Sequence, residues 1–322
     1  MEKINVLSCY DGMSCGQIAL NLEGIQVDKY HACEIDPYAI KITQKNYPNT
    51  IQLGDIKKVS GKDLPKIDLL MGGSPCQSFS RASTNPKGFD DDRGQLFFEF
   101  VRLLKELKPK YFLLENVRMK QEDQDIISMN LGIKPILINS ALVSAQSRNR
   151  LYWTNIPNVT QPKDKGIVLK DILEDLPFPK DTPNYLNNTW GGKTRGERVK
   201  SINDAKANCL TANMWKGQIP TYVKTPIQVG VASNIRGYDA IKRVYSDEGK
   251  SPTLTTCGGG HREPKVASKD EVYYRKITPR ECERLQTVPQ GYTEGVSNTQ
   301  RYKMLGNGWT VDVIRHILRG AK

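Results

Sequence analysis

Four short stretches concentrate the reactive side chains, and each lies beside an apolar run. Gly72-Gly-Ser-Pro-Cys-Gln77 sets Cys76 behind a proline, just past the run Ile67–Met71. A thiol on a rigid turn at a strand end faces a cleft, where its thiolate is a strong nucleophile. Glu115 opens Glu115-Asn-Val117 after Tyr111–Leu114. A carboxylate at a strand end of the same sheet could face Cys76. Gln146-Ser-Arg-Asn-Arg150 spaces Arg148 and Arg150 by two. On an extended segment they point the same way, suited to a carbonyl oxygen and a phosphate. Cys9-Tyr-Asp-Gly-Met-Ser-Cys-Gly16 is a glycine turn between an apolar strand and a helix, the kind that lets a ligand approach backbone N–H groups. Two acids add to it. Glu34 ends the second strand, where it can hold ribose hydroxyls. Asp55, in Gly54-Asp-Ile56, follows the third, where it can accept from an adenine amino group. Three polar groups at successive strand ends suit a nucleoside cofactor. Each stretch also has a structural reading: a tight turn, a buried cysteine, a helix cap or a surface acid.

These side chains need a sheet to gather them. Apolar runs at Ile4–Cys9, Tyr30–Glu34, Ile51–Leu53, Ile67–Met71, Tyr111–Glu115, Ile136–Asn139 and Leu151–Thr154 predict strands. Helical spacing predicts helices over Cys15–Glu23, Pro37–Tyr47 and Gly94–Leu107. Such alternation predicts a doubly wound α/β sheet with ligands at the carboxyl ends of its strands. Residues 157–270 are rich in Pro, Gly, Asn and Thr and predict short strands and loops. A weak repeat aligns Lys206–Ala212 with Lys250–Thr256. Residues 277–322 return to helical pattern. Thr278-Pro279-Arg280-Glu281 predicts a helix start, and Val311–Leu318 a helix packing back on the first domain.

Composition narrows the classes. The 322 residues carry a net charge of +12, with 38% hydrophobic and 25% charged residues. Residues 1–156 hold 20 basic and 18 acidic side chains, and residues 157–322 hold 27 and 17, so a polyanion is expected against the second half. Seven cysteines without a C-x-x-C pair, and three histidines, argue against a zinc site or a disulfide framework. No apolar run approaches membrane-spanning length, and the first residues lack the order of a signal peptide; the expectation is a cytosolic protein.

Together, Tyr10-Asp-Gly-x-x-x-Gly16, Pro75-Cys-Gln77, Glu115-Asn-Val117, Gln146-x-Arg-x-Arg150 and Gly306-Asn307 resemble, in order and spacing, the motifs of the DNA cytosine-5 methyltransferases. The resemblance spans the whole chain. Gly94-Gln-Leu-Phe-Phe-Glu-Phe100, Val143-Ser-Ala145 and Val313-Ile-Arg-His316 look like the animal de novo branch. Gly306-Asn307-Gly308 looks like bacterial and phage enzymes, so a bacterial or phage origin is expected. The resemblance implies a class I S-adenosylmethionine-dependent methyltransferase fold, Rossmann-like, over 1–156. It implies a smaller, irregular β-rich target-recognition domain over 157–275 and a returning segment over 276–322. It also implies S-adenosylmethionine as cofactor and double-stranded DNA as partner, with no metal or membrane and a monomer acting on DNA.

By the same resemblance Cys76 adds to carbon 6 of cytosine, protonated Glu115 donates to ring nitrogen 3, and Arg150 holds the base's carbonyl oxygen with Arg148 in support. The cofactor is expected at Tyr10, Asp11, Gly12, Gly16, Glu34 and Ile35, and at Asp55, Ile56, Ser74, Pro75, Asn307 and Gly308. DNA contacts are expected from Gln77, Ser78, Arg236, Arg243, Thr253, Gly258 and Gly259, with Ser78 to Gly94 as a loop able to close over the base. Solvated surface charge competes as the reading of Arg236 and Arg243. The chain departs from many members in having Tyr10-Asp11 for Phe-Ala, and Cys15 for the second glycine of that loop. A tRNA cytosine methyltransferase is the rival enzyme, and the large recognition region favours DNA. A non-catalytic DNA-binding regulator is the rival outside enzymes, opposed by intact Cys76, Glu115, Arg148 and Arg150.

Overall fold

The structure, a computed structural model, describes residues 3–74, 92–176, 186–187, 189–190, 193–194, 228–232, 235, 237–257, 261–267 and 275–322. Its main sheet holds β1 Ile4–Cys9, β2 Val27–Cys33, β3 Ile51–Gln52, β4 Leu69–Gly73, β5 Tyr111–Val117, β6 Ile136–Asn139 and β7 Asn149–Thr154. The order is β3-β2-β1-β4-β5-β7-β6. β7 runs antiparallel to β5 and β6, and all other pairings are parallel. The expected doubly wound, mostly parallel sheet is therefore present. The helices with described bounds are α1 Cys15–Glu23, α2 Pro37–Asn46, α3 Asp92–Leu107, α4 Gln121–Leu131, α5 Asp239–Lys242, α6 Pro279–Leu285, α7 Asn298–Asn307 and α8 Val311–Leu318.

Side-chain alternation builds a core on each face of the sheet. Val6, Leu69, Met71 and Leu113 pack on one side with Ile18 and Ala19 of α1 and Val313, Ile314 and Ile317 of α8. Their neighbours Leu7, Leu70, Phe112 and Leu114 pack on the other with Phe97, Phe100 and Leu103 of α3 and Ile127 of α4. A strand buried on both faces needs apolar residues at successive positions, hence the continuous runs in the sequence. β4 extends two residues past Met71 because Gly72 and Gly73 stay paired with Leu114 and Glu115. A Cβ on Gly72 would stand 2.9 Å from the Phe100 ring, so the absent side chain lets α3 close on the strand end. β2 starts at Val27, earlier than its apolar run, because pairing with β1 carries it through exposed Asp28 and Lys29.

The C-terminal part closes the first face. α6 begins on a capping box, with Glu281 accepting from Thr278 N at 2.7 Å while Glu281 N donates to the Thr278 hydroxyl at 3.2 Å. Buried Arg275 then grips the Glu281 carboxylate with two bonds of 2.9 and 2.7 Å. A second sheet follows the order β14-β13-β12-β11-β8, with β8 Leu186–Asn187, β11 Gln228–Ala232, β12 Arg243–Ser246, β13 Lys265–Ala267 and β14 Arg275–Lys276. Two-residue strands β9 Thr189–Trp190 and β10 Lys193–Thr194 form a separate pair. Leu169, Ile172 and Leu254 belong to the first core. Buried Lys250 donates to the carbonyls of Ala141 and Ser144 at 2.9 Å, and to that of Ile167. The segment before the second sheet and the connection between β12 and β13 are thereby fastened to the first domain.

Candidate active site

The carboxyl ends of β1, β2, β4 and β5 open into a cleft of about 330 Å³. On its first side, Tyr10, Gly12 and Ser14 take φ values of 58°, 58° and 64°. Glycine adopts that conformation freely, but Tyr10 and Ser14 need support. The Tyr10 hydroxyl donates to Leu96 O at 2.6 Å, and the Ser14 hydroxyl to Asp11 Oδ2 at 2.7 Å. Tyr30 donates to Asp11 Oδ1 at 2.7 Å. Burial pushes the Asp11 carboxyl up to about 6, opposed by hydroxyl bonds from Ser8, Ser14 and Tyr30. Asp11 thus braces the turn from within.

Glu34 caps the same turn. It accepts from Gly12 N at 2.8 Å through Oε2, and from Ile35 N and Asp36 N at 2.8 Å through Oε1. Ile35, an apolar side chain lining the cleft, stands 74% exposed. Asp55 Oδ1 accepts from Lys57 N at 3.0 Å, and Ile56 is buried behind it. Tyr10, Asp11, Gly12, Glu34, Ile35, Asp55 and Ile56 all line the cleft. Gly16 does not; it lies inside α1, where a Cβ would stand 2.7 Å from Met71 and 2.9 Å from the Tyr30 hydroxyl.

The other side carries the charged groups. Arg150 Nε meets Glu115 Oε1 at 2.9 Å, and both side chains are largely buried. Asn116 Nδ2 donates to Ser74 Oγ at 2.9 Å, locking the end of β4 to that of β5. Ser74, Asn307 and Gly308 line the cleft with them. Arg148 lines it too, but its guanidinium donates to the carbonyls of Leu254, Gly306 and Gly308 at 3.1, 3.1 and 3.0 Å. Gln286 adds bonds to Leu305 O at 2.6 Å and Gly308 O at 3.2 Å. Gln146 joins this buried network, accepting from Leu254 N at 2.9 Å and donating to Gln286 Oε1 at 3.2 Å. The two arginines of one motif therefore differ: Arg150 faces the carboxylate, while Arg148 ties the Thr253-Leu-Thr255 segment to the Gly306-Asn307-Gly308 turn.

Thr253 Oγ1 donates to Ser147 O at 2.8 Å, a bond within that junction. Arg243 is exposed at the start of β12 and is not among the cleft-lining residues. Pro75, Cys76, Gln77, Ser78, Arg236, Gly258 and Gly259 lie outside the described residues, as do most of the expected closing loop and the first copy of the repeat. Asn116, Leu96, Met304 and Trp309 also belong to the site, beyond the expected residues. Asn116 follows Glu115 and Trp309 follows Gly306-Asn307-Gly308, so adjacency to a motif is the signal that points to these two. Cys9, Cys15, Cys33, Cys257 and Cys282 are buried thiols. Burial pushes Cys15 up to about 12 and also raises Cys9, Cys257 and Cys282, which keeps these sulfurs protonated and poor nucleophiles.

The junction at Gly306 is tight. A Cβ there would stand 2.1 Å from Thr255 O and 2.7 Å from Thr256 N, both backbone atoms that a rotamer change cannot move. Gly306→Ala should cost about 2 kcal/mol or more by overpacking. Calorimetry should show a melting temperature lower by roughly 5 °C. An unchanged melting temperature would mean that the two segments do not bear on each other.

A mostly parallel sheet in this order, with acids at successive strand ends facing one cleft, defines a class I methyltransferase fold. The chain belongs to the C-5 cytosine-specific DNA methylase family, whose model matches residues 5–322. It is 31% identical over 355 aligned residues to the orphan methyltransferase M.Rho11sI of Bacillus phage rho11s, covering 83% of this chain and 70% of that protein. It is 29% identical over 324 residues to the type II methyltransferase M.HhaI of Haemophilus parahaemolyticus, covering 94% and 90%. Among solved structures, the S. pombe Dnmt2 methyltransferase matches with a TM-score of 0.62 at 19% identity over 100% of both chains, a likeness of fold. Among the described residues no helix is long and apolar enough to cross a membrane. Nor do the described residues place three His, Cys, Asp or Glu side chains to hold a metal.

Proposed function

We propose that this protein transfers the methyl group of S-adenosylmethionine to carbon 5 of a cytosine flipped out of duplex DNA, through a covalent bond to Cys76. The observation that carries the reading is the convergence of Glu34, Asp55, Glu115 and Arg150 on one cleft. Two acids on its first side suit ribose hydroxyls and an adenine amino group. Exposed Ile35 beside them suits an adenine face. The volume lies within the range of small-molecule sites. The residues present therefore fit the cofactor. When bound, it supplies an electrophilic methyl group on a sulfonium.

Carbon 5 of cytosine is too weak a nucleophile to take that methyl unaided. The Cys76 thiolate adds to carbon 6, which makes carbon 5 enamine-like. Glu115, which takes up a proton from solvent as the base binds, gives it to ring nitrogen 3 as charge develops, and Arg150 holds the carbonyl oxygen. After methylation a water takes the proton from carbon 5, elimination returns the Cys76 thiolate, and ring nitrogen 3 gives its proton back to Glu115. Chain geometry favours this assignment: Ser74 is fastened to Asn116 beside Glu115, and Cys76 follows two residues on. The target carbon is stacked inside the duplex, so the base must be extruded at a cost of a few kcal/mol. The basic half of the chain supports phosphate contacts whose affinity falls with salt.

Removing the acid at the third strand tests the cofactor placement. Asp55→Ala should raise the Kd for S-adenosylmethionine about tenfold by calorimetric titration, the loss of one charge-assisted hydrogen bond. An effect on DNA binding alone, with cofactor affinity intact, would move the cofactor elsewhere.

A further inference from the structure

Glu115 has a second partner besides Arg150. Trp309 Nε1 lies 3.3 Å from Glu115 Oε2, while Arg150 Nε holds Oε1 at 2.9 Å. The indole reaches the carboxylate across the end of β4. Gly73 is paired with Glu115 in the sheet. A Cβ on Gly73 would stand 2.8 Å from Trp309 Nε1 and 3.1 Å from Glu115 Oε2. The bare strand end is thus the space through which the contact is made.

The base of the indole is fixed independently of its ring. Gly308 N donates to Met304 O at 2.8 Å, and Gly308 O is held by Arg148 and Gln286. Thr310 Oγ1 donates to Gln286 Oε1 at 2.8 Å. An indole N–H can only donate, and it stands here on an anchored turn.

We propose that Trp309 is a positioning residue: its N–H fixes the carboxyl plane of Glu115, and Gly73 keeps the path open. The inference rests on the reading of Glu115 as the group that serves the flipped base. The terminal torsion of a glutamate side chain is broad, so one donor leaves the plane free to turn. Donors on both oxygens fix it. A carboxylate offers about four acceptor sites, so a lone pair remains to carry the proton that passes to the base. This Trp–Gly–Glu arrangement joins β4, β5 and the turn before α8 into one preorganised group.

Trp309→Phe keeps an aromatic ring and removes the donor. Single-turnover methylation of a duplex substrate should slow about tenfold, with the Kd for S-adenosylmethionine unchanged. Gly73→Ala should give a similar loss by pushing the indole away. The Gly73→Ala/Trp309→Phe pair should lose less than the two single losses combined, because both disturb the Trp309–Glu115 contact. Adding Trp309→Phe to Glu115→Gln should cost nothing further. A full rate in Trp309→Phe, additive losses in the pair, or a weakened cofactor Kd at full rate would overturn the inference. Should Trp309→Phe not fold, Trp309→Met, which also lacks the donor, takes its place with and without Glu115→Gln, and additive losses there overturn the inference. If Glu115→Gln itself keeps full activity, the reading of Glu115 fails, whatever Trp309 does.

Discussion

Cys76→Ala should abolish methyl transfer while cofactor binding persists. Alanine leaves Gly72-Gly-Ser-Pro75 chemically intact and removes the sulfur proposed to bond carbon 6. Without that bond the pyrimidine must attack a sulfonium from an aromatic ring, and nothing else described in the cleft can make carbon 5 nucleophilic. The described cysteines offer no substitute, since all five are buried. Loss of a covalent nucleophile costs at least about 10⁴-fold in kcat. Radiolabel transfer to duplex DNA measures the rate, and calorimetric titration with S-adenosylmethionine measures the persisting site. Residual turnover near wild type would remove Cys76 from the chemistry.

Glu115→Gln should lower kcat by about 10²- to 10⁴-fold, the span of a lost general acid. The substitution preserves shape, so the loss belongs to charge and proton rather than packing. Geometry makes it worse than a simple neutralisation. Both carboxylate oxygens face donors, Arg150 Nε on one side and Trp309 Nε1 on the other. A glutamine has one acceptor oxygen, and its NH₂ must then point at a donor in either orientation. Arg150 also loses its ion partner. Steady-state kinetics should show kcat falling with little change in cofactor Kd. A Glu115→Gln protein with full kcat would hand the proton step to another group.

How much of this was readable from residue order follows from how local each feature is. α1, α8, β1 and β6 match the expected bounds because their apolar patterns are self-contained. α4 was not read, since Ile127 is its one fully buried residue while Ile126 and Met129 face outward. α7 was missed for a similar reason: its buried part is Met304-Leu305-Gly306, too short for a helical stripe. Glu34, Asp55 and Glu115 could be picked out because a doubly wound sheet brings strand ends together wherever they fall in the chain. The contacts that refine the site were not legible. Trp309 meets Glu115 across 194 residues, and Asn116 meets Ser74 across 42. Only packing decides such pairs. The same holds for Arg148, whose spacing from Arg150 predicts a shared direction, while the carbonyls of Leu254, Gly306 and Gly308 occupy its guanidinium.

A fluorine at carbon 5 cannot leave as the proton does, so a duplex containing 5-fluorocytosine should trap the thioether. Incubated with the protein and S-adenosylmethionine, it should yield a denaturant-resistant protein–DNA species, and peptide mapping should place the bond on Cys76. No such species, or one attached at a different cysteine, would contradict covalent catalysis by Cys76.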